Sequence, residues 1–94
     1  MKNVQDKLKV RYSRDAIKFL DKQTKKTVHR IRKNINEKLR TKPPKGDIVQ
    51  LEGYNDGRRR LRVGSWRIIF RYAEENRIEI LEIIDIDSRG GIYK

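Results

Sequence analysis

Six arginines fall between positions 58 and 71, namely Arg58, Arg59, Arg60, Arg62, Arg67 and Arg71, with no acid among them. A guanidinium presents a planar fork of donors that matches phosphate oxygens, and it stays charged at any physiological pH. Alternate residues of an extended chain share a face. Arg58, Arg60 and Arg62 therefore line one side of a strand, with Leu61 and Val63 on the other. Hairpin pairing with the following segment would bring Arg67 to the arginine side. Such a group would grip an RNA or DNA backbone with salt-dependent affinity, and Tyr54 and Tyr93 are available to stack on a base. The competing expectation is a solvated face whose charges are balanced by nearby acids. The absence of local acids argues for polyanion binding instead.

Other chemistries find little support. His29 is the only histidine and cysteine is absent, which removes a two-histidine acid–base scheme, multi-histidine metal sites and thiolate sites. His29 lies beside basic residues and reads as a surface residue. Asp85 and Asp87 are spaced like paired carboxylates but have no further ligands near them. They are expected to pair with the arginines, as are Glu79 and Glu82. No phosphate-cradling glycine loop, dinucleotide fingerprint or serine elbow is present, and no metal or cofactor is expected. Trp66 is in phase with Ile68 and Phe70 and reads as core packing.

The elements that must position these residues follow from periodicity. Leu8, Val10 and Tyr12 alternate, a strand signal. Ser13 is placed to cap a helix carrying Ala16, Ile17 and Leu20, and Thr24 to cap a second, where Val28, Ile31, Ile35 and Leu39 form one apolar stripe. Pro43-Pro44-Lys45-Gly46-Asp47 ends that helix. Leu51 falls in a short extended segment, and the residues from Gly53 to Gly57 are turn chemistry. Strands are expected over Arg58–Val63, Trp66–Ala73 and Arg77–Ile86, with a break at Gly64-Ser65 and a tight connection at Glu74-Glu75-Asn76. The last strand, rich in apolar residues, is expected at the centre of the sheet. The order β-α-α-β-β-β predicts an α+β domain, a helical hairpin on one face of a small antiparallel sheet.

Ninety-four residues suit one domain, 1–94,. The formal net charge of +12 attracts polyanions: RNA, DNA, the ribosome or an acidic protein. No apolar run approaches the ~20 residues of a membrane span, and the first residues lack the apolar core of a signal peptide. A cytoplasmic location, without membrane contact, is expected.

Several segments, in order along nearly the whole chain, resemble the RelE/ParE toxins of type II toxin–antitoxin systems. They are Val10-Arg11-Tyr12-Ser13 with Ala16 and Leu20; Pro44-Lys45-Gly46-Asp47 leading to Leu51-Glu52-Gly53; the run from Arg60 to Phe70; and the ending from Asp87 to Lys94. The resemblance implies a RelE-like fold and a toxin held inactive by a cognate antitoxin in a hetero-oligomer. RelE-like members enter the ribosomal A site and cut mRNA without a metal; ParE-like members poison DNA gyrase. By position, Arg58 and Arg60 match basic residues of the active strand, Arg67 the arginine after the aromatic, Arg89 the arginine of the terminal motif and Tyr93 its tyrosine. The tyrosine favours the RelE-like branch. Ser88 stands where many relatives have histidine.

The implied reaction is attack of a 2′-hydroxyl on the adjacent phosphorus. Arg60 and Arg67 would stabilise the phosphoryl charge and Arg89 the leaving oxygen, while Tyr93 would orient the base or move a proton. Arg58, Arg59, Arg62 and Arg71 would bind RNA. An arginine is a poor proton acceptor, so the general base is left between Tyr93, an RNA phosphate and the ribosome. The alternatives are a gyrase inhibitor, a non-catalytic basic nucleic-acid-binding module and a degenerate, inactive toxin.

Overall fold

The computed structural model describes residues 8–88. Its elements run β1 (Lys9–Tyr12), α1 (Arg14–Asp21), α2 (Lys25–Leu39), β2 (Asp47–Gln50), β3 (Arg59–Val63), β4 (Trp66–Glu75) and β5 (Ile78–Ser88). They form the expected α+β arrangement, with two consecutive helices on one face of a five-stranded sheet ordered β1-β5-β4-β3-β2.

Both helices begin where a hydroxyl satisfies an orphan backbone donor. The Ser13 side chain accepts from the Ala16 N–H at 3.1 Å, and that of Thr24 from the Thr27 N–H at 3.1 Å. The Ser13 hydroxyl also donates to the carbonyl of Ile84, tying the start of α1 to β5. Helix α1 buries Ala16 and Leu20, and α2 buries Ile31, Ile35 and Leu39. These meet Leu61, Ile68, Phe70, Leu81, Ile83 and Ile86 from the inner face of the sheet. At the end of α2, the Tyr72 hydroxyl donates to the Leu39 carbonyl, one of the carbonyls a helix terminus leaves unpaired. Burial pushes the Tyr72 phenol up to about 12, so this donor keeps its proton across the physiological range. The chain then turns into β2 through Gly46. Its φ is +107°, and a Cβ there would lie 2.9 Å from Leu61 Cδ1, so glycine meets both a backbone and a packing requirement.

Four features differ from the sequence reading. An additional strand, β2, pairs antiparallel with β3; its sequence sets Ile48 beside Val49 between two polar residues and so shows no alternation to read,. The centre of the sheet is β4, because β3 takes its free edge while β1 takes that of β5. Strand β1 pairs with β5 in parallel, and the other pairings are antiparallel. Finally, β4 continues through Glu75 and the turn is Asn76-Arg77, both left-handed at φ 52° and 66°. That is the conformation a two-residue hairpin demands.

Strand β5 also carries a bulge. Phe70 faces Ile83 while Ile69 faces Asp85, which leaves Ile84 without a partner on β4. The bulge allows Leu81, Ile83 and Ile86 all to be buried, although no single alternation contains the three.

Candidate nucleic-acid interface

The register sets the outer face of the sheet out in rows. One row crosses four strands as Asp47, Arg62, Arg67 and Asp87. Arg67 binds Asp87 with both arms, Nε to Oδ1 at 2.9 Å and Nη2 to Oδ2 at 3.1 Å. Arg62 Nε reaches Asp47 Oδ2 at 3.1 Å. The next row is Val49, Arg60, Ile69 and Asp85. Arg60 meets the other oxygen of Asp47 at 3.5 Å, and its Nε is buried without a hydrogen-bond partner. A third row holds Arg71, Glu82 and Arg11. Glu82 bridges the two arginines at 2.6 and 3.0 Å, and Arg11 also binds Glu75 at 2.8 Å. Arg58, just before β3, holds Asp56 at 2.9 Å and covers the Tyr54 ring, 4.1 Å from its centroid.

These contacts overturn the expectation that the arginine patch lacks balancing acids. Asp47, Glu82 and Asp87 are remote in sequence and arrive from β2 and β5, while Asp56 comes from the loop just before β3, two residues ahead of Arg58. Residues 47–88 hold nine acids against seven arginines, a net of −2. Ion pairs exposed to this degree contribute about 0–1 kcal/mol each. They hold the guanidinium groups in place, yet a phosphate can exchange for the carboxylate at little cost.

The structure brings Arg60, Arg62, Arg67 and Arg71 together, with Arg58 at the margin. Asp56 feels Arg71 as well as Arg58, and the Arg58 hydrogen bond is the main reason its carboxyl lies below the ordinary value. Arg59 does not join them: it is in phase with Leu61 and Val63, on the helix side near Tyr72. Arg89 and Tyr93 lie outside the described residues. Sequence reasoning missed Arg11 and Asp47, which reach the face through pairings between distant segments. Of the expected acid partners, Asp87 and Glu82 bind arginines, whereas Glu79 binds Lys42. Asp85 makes no ion pair among the described residues. Its carboxyl is raised above its ordinary value by burial, opposed by a hydrogen bond from the Ile86 N–H and reinforced by Asp87 and Asp15.

Two arginines of this face are held still more firmly in the charged form. The Glu75 hydrogen bond raises Arg11 and the Asp56 hydrogen bond raises Arg58. Trp66 packs against the core, as expected, with the Arg30 guanidinium 5.1 Å from its ring centroid. Among the described residues no cluster of three histidine, cysteine or acidic side chains could hold a metal, and no helix is long and apolar enough to cross a membrane.

A family model described as the ParE toxin of type II toxin–antitoxin systems, parDE, matches residues 10–92. Two solved structures share the fold. The RelB–RelE antitoxin–toxin complex of Methanococcus jannaschii has a chain 24% identical, with a TM-score of 0.59 over 88% of this chain and 94% of its own. The archaeal RelE–RelB complex of Pyrococcus horikoshii OT3 is also 24% identical with a TM-score of 0.59, over 89% and 97%. No curated protein matches the sequence.

Proposed function

The chain belongs to the ParE-toxin family of type II toxin–antitoxin systems, and on that premise we propose that it arrests translation by cutting mRNA in the ribosomal A site. The carrying observation is the convergence of Arg60, Arg62 and Arg67 on the outer face, on adjacent strands, held by the displaceable carboxylates of Asp47 and Asp87. Arg62 and Arg67 are directly opposed, about 5 Å apart at Cβ, while Arg60 is diagonal to Arg67 at about 7–8 Å, a span that long side chains still bridge,; the guanidinium groups can therefore share one phosphate.

In this reading the 2′-oxygen bonds to phosphorus, the bond to the 5′-oxygen breaks, and the products are a 2′,3′-cyclic phosphate and a 5′-hydroxyl. Arg60 and Arg67 bind the non-bridging oxygens, where charge builds in the transition state. The unpaired Nε of Arg60 gains an acceptor there. Asp85 takes the 2′-hydroxyl proton, since a carboxyl raised by burial is better matched to that task than a paired one. Arg89 neutralises the 5′-oxygen, which takes a proton from water, while Asp85 returns its proton to solvent, and Tyr93 orients the base. Arg58, Arg62 and Arg71 hold the flanking backbone. A cognate antitoxin, acidic where it meets this face, silences the protein in the cytoplasm. The solved RelE–RelB assemblies support an antitoxin partner of this kind.

The test is a translation reaction with purified ribosomes and a defined mRNA, with cuts mapped by primer extension. Cuts within A-site codons are expected, lost in Arg67→Ala and Tyr93→Ala proteins that remain folded. Undiminished cutting by both variants would falsify the assignment. The match to a ParE-toxin model favours a second reading, poisoning of DNA gyrase. It predicts intact mRNA and gyrase-linked DNA breaks from the same preparation.

A further inference from the structure

We propose that the solvent face of α2 is a docking surface for the sugar–phosphate backbone of helical RNA. The choice of RNA rests on the RNA-directed reading above; the surface rests on the charge distribution.

The net charge of +12 does not reside on the arginine sheet. Residues 14–40 hold ten lysines and arginines against three acids, a net of +7, while residues 47–88 are at −2. Helix α2 turns Ile31, Ile35 and Leu39 inward. Lys26 and Lys33 then point outward along about 10 Å of helix, with Arg30 between them at its flank, its guanidinium over the Trp66 ring, and with Lys22 and Lys25 near the helix start. All five are exposed. None makes an ion pair among the described residues, in contrast to the sheet arginines.

The arrangement works against the helix that carries it. Lys25 and Lys26 occupy the first turn of α2, which has no acid, although the macrodipole there favours negative charge. Lys26 and Arg30 are like charges four apart on α2, a pair unfavourable for a helix,. The one acid of α2, Glu37, follows a turn after Lys33, so the basic residues gather in the first half of the helix. An anion spanning these positions would remove the repulsion.

The same face selects the kind of anion. Binding of single strands relies on aromatic platforms, and α2 has no phenylalanine, tyrosine or tryptophan. A protein partner needs buried apolar anchors, and a membrane surface needs apolar residues to insert. Among the described residues the exposed large apolar ones are Ile17, Val49, Tyr54 and Ile78, none of them on α2. Lysine point charges without apolar or stacking groups suit a duplex backbone recognised by its shape. Helix and outer sheet face lie on opposite sides of the molecule, so the protein can seat against structured RNA while the sheet meets the strand to be cut.

The experiment measures anisotropy of a labelled RNA duplex against salt concentration, using the full chain and the Lys26→Gln/Lys33→Gln double variant. A slope of log affinity against log salt shallower by about 2 is expected in the variant, from roughly one released counterion per lost contact. At low salt, affinity should fall about 10-fold or more, and Lys26→Arg/Lys33→Arg should restore both. Thermal stability of the glutamine variant should be unchanged or raised, since repulsion has been removed. Unchanged slope and affinity would overturn the proposal, as would wild-type protein that binds no duplex. Equal or tighter binding to a DNA duplex of the same sequence, or displacement of RNA by polyglutamate at matched charge, would overturn RNA as the occupant. Ribosome-dependent cutting is read in parallel. Persistent cutting with an unchanged slope sinks the docking surface alone, whereas a shallower slope without cutting by the wild type sinks the cleavage reading alone.

Discussion

Asp87 on β5 clasps Arg67 on β4 with both carboxylate oxygens, Nε to Oδ1 at 2.9 Å and Nη2 to Oδ2 at 3.1 Å. The pair fixes the plane of a guanidinium on an open face, and it places a negative charge where an RNA phosphate would approach. Asp87→Asn is therefore expected to affect the two halves of function in opposite directions. RNA binding at low salt should tighten as one repelling charge is lost. Single-turnover cutting on ribosomes should fall about 10-fold or more as the guanidinium loses its alignment. Parallel changes in both quantities would show that Asp87 does not position Arg67.

Asp85 is expected to leave a signature in pH. A base works once deprotonated, so the cutting rate should rise with pH through its raised value, and Asp85→Asn should lose that rising limb along with most of the rate. Stability follows the opposite sense. A carboxyl whose folded value lies above its ordinary 3.8 binds its proton more tightly in the native state. Stability therefore declines as pH rises from the unfolded value through the folded one. Asp85→Asn should melt higher than the parent at neutral pH and match it in strong acid. A pH-independent difference in melting temperature would count against the assignment.

The carboxylates of Glu75 and Asp56 behave in the reverse way. Arg11 lowers the first and Arg58 the second. Their contribution is present above the ordinary carboxylate range and is lost as pH falls through their folded values. Glu75→Gln should flatten the acid limb of a melting-temperature profile. Retention of the full acid dependence would show that other carboxylates set it.

Ser13 has two partners and Thr24 only local ones. Ser13 accepts from Ala16 and donates to Ile84 on β5, whereas the Thr24 hydroxyl stays within its own first turn. Loss of the Thr24 cap in Thr24→Ala should cost about 1 kcal/mol. Ser13→Ala should cost more, about 2 kcal/mol, since it also leaves a carbonyl near the core without its donor. Urea denaturation of the two variants checks the order, and equal losses would remove the role given to the β5 contact.

Phe70 is fully buried at the middle of β4 and meets Tyr72 edge-on at 5.8 Å. Phe70→Ala should cost about 3–5 kcal/mol, enough to unfold a marginal domain of this size. A loss under 1 kcal/mol by urea titration would mean the core repacks around the gap.

The two helices were legible because their signals are local. A capping hydroxyl and a stripe at three- and four-residue spacing identify a helix without reference to the rest of the chain. Strands β3 and β4 were legible from alternation. The partners of the arginines were not, because an acid that balances a charge need not be near it in sequence: Asp47 precedes Arg62 by 15 positions and Asp87 follows Arg67 by 20. The segment 58–71 taken alone therefore carries far more positive charge than the sheet as a whole. Arg11 was hidden for the same reason, since nothing in Lys9–Tyr12 indicates that it will lie parallel to β5. Arg59 illustrates a different limit. Three consecutive arginines read as one patch, although a pleated strand must send the middle one to the opposite face.

The unpaired Ile84 gives the chain a reading frame. Before it, the even positions of β5 look outward; after it, the odd ones do, and Asp85 and Asp87 depend on that change of phase. Removing Ile84 would close the bulge without turning the strand over: Ile83 would still face the helices, and Asp85 and Asp87 would still face outward. What would be lost is the local bend and added twist that an extra residue gives a strand. The opposite change is the damaging one. If Ile84 were drawn into regular pairing at the same length, every later residue would change sides, sending both aspartates toward the helices and Ile86 toward water.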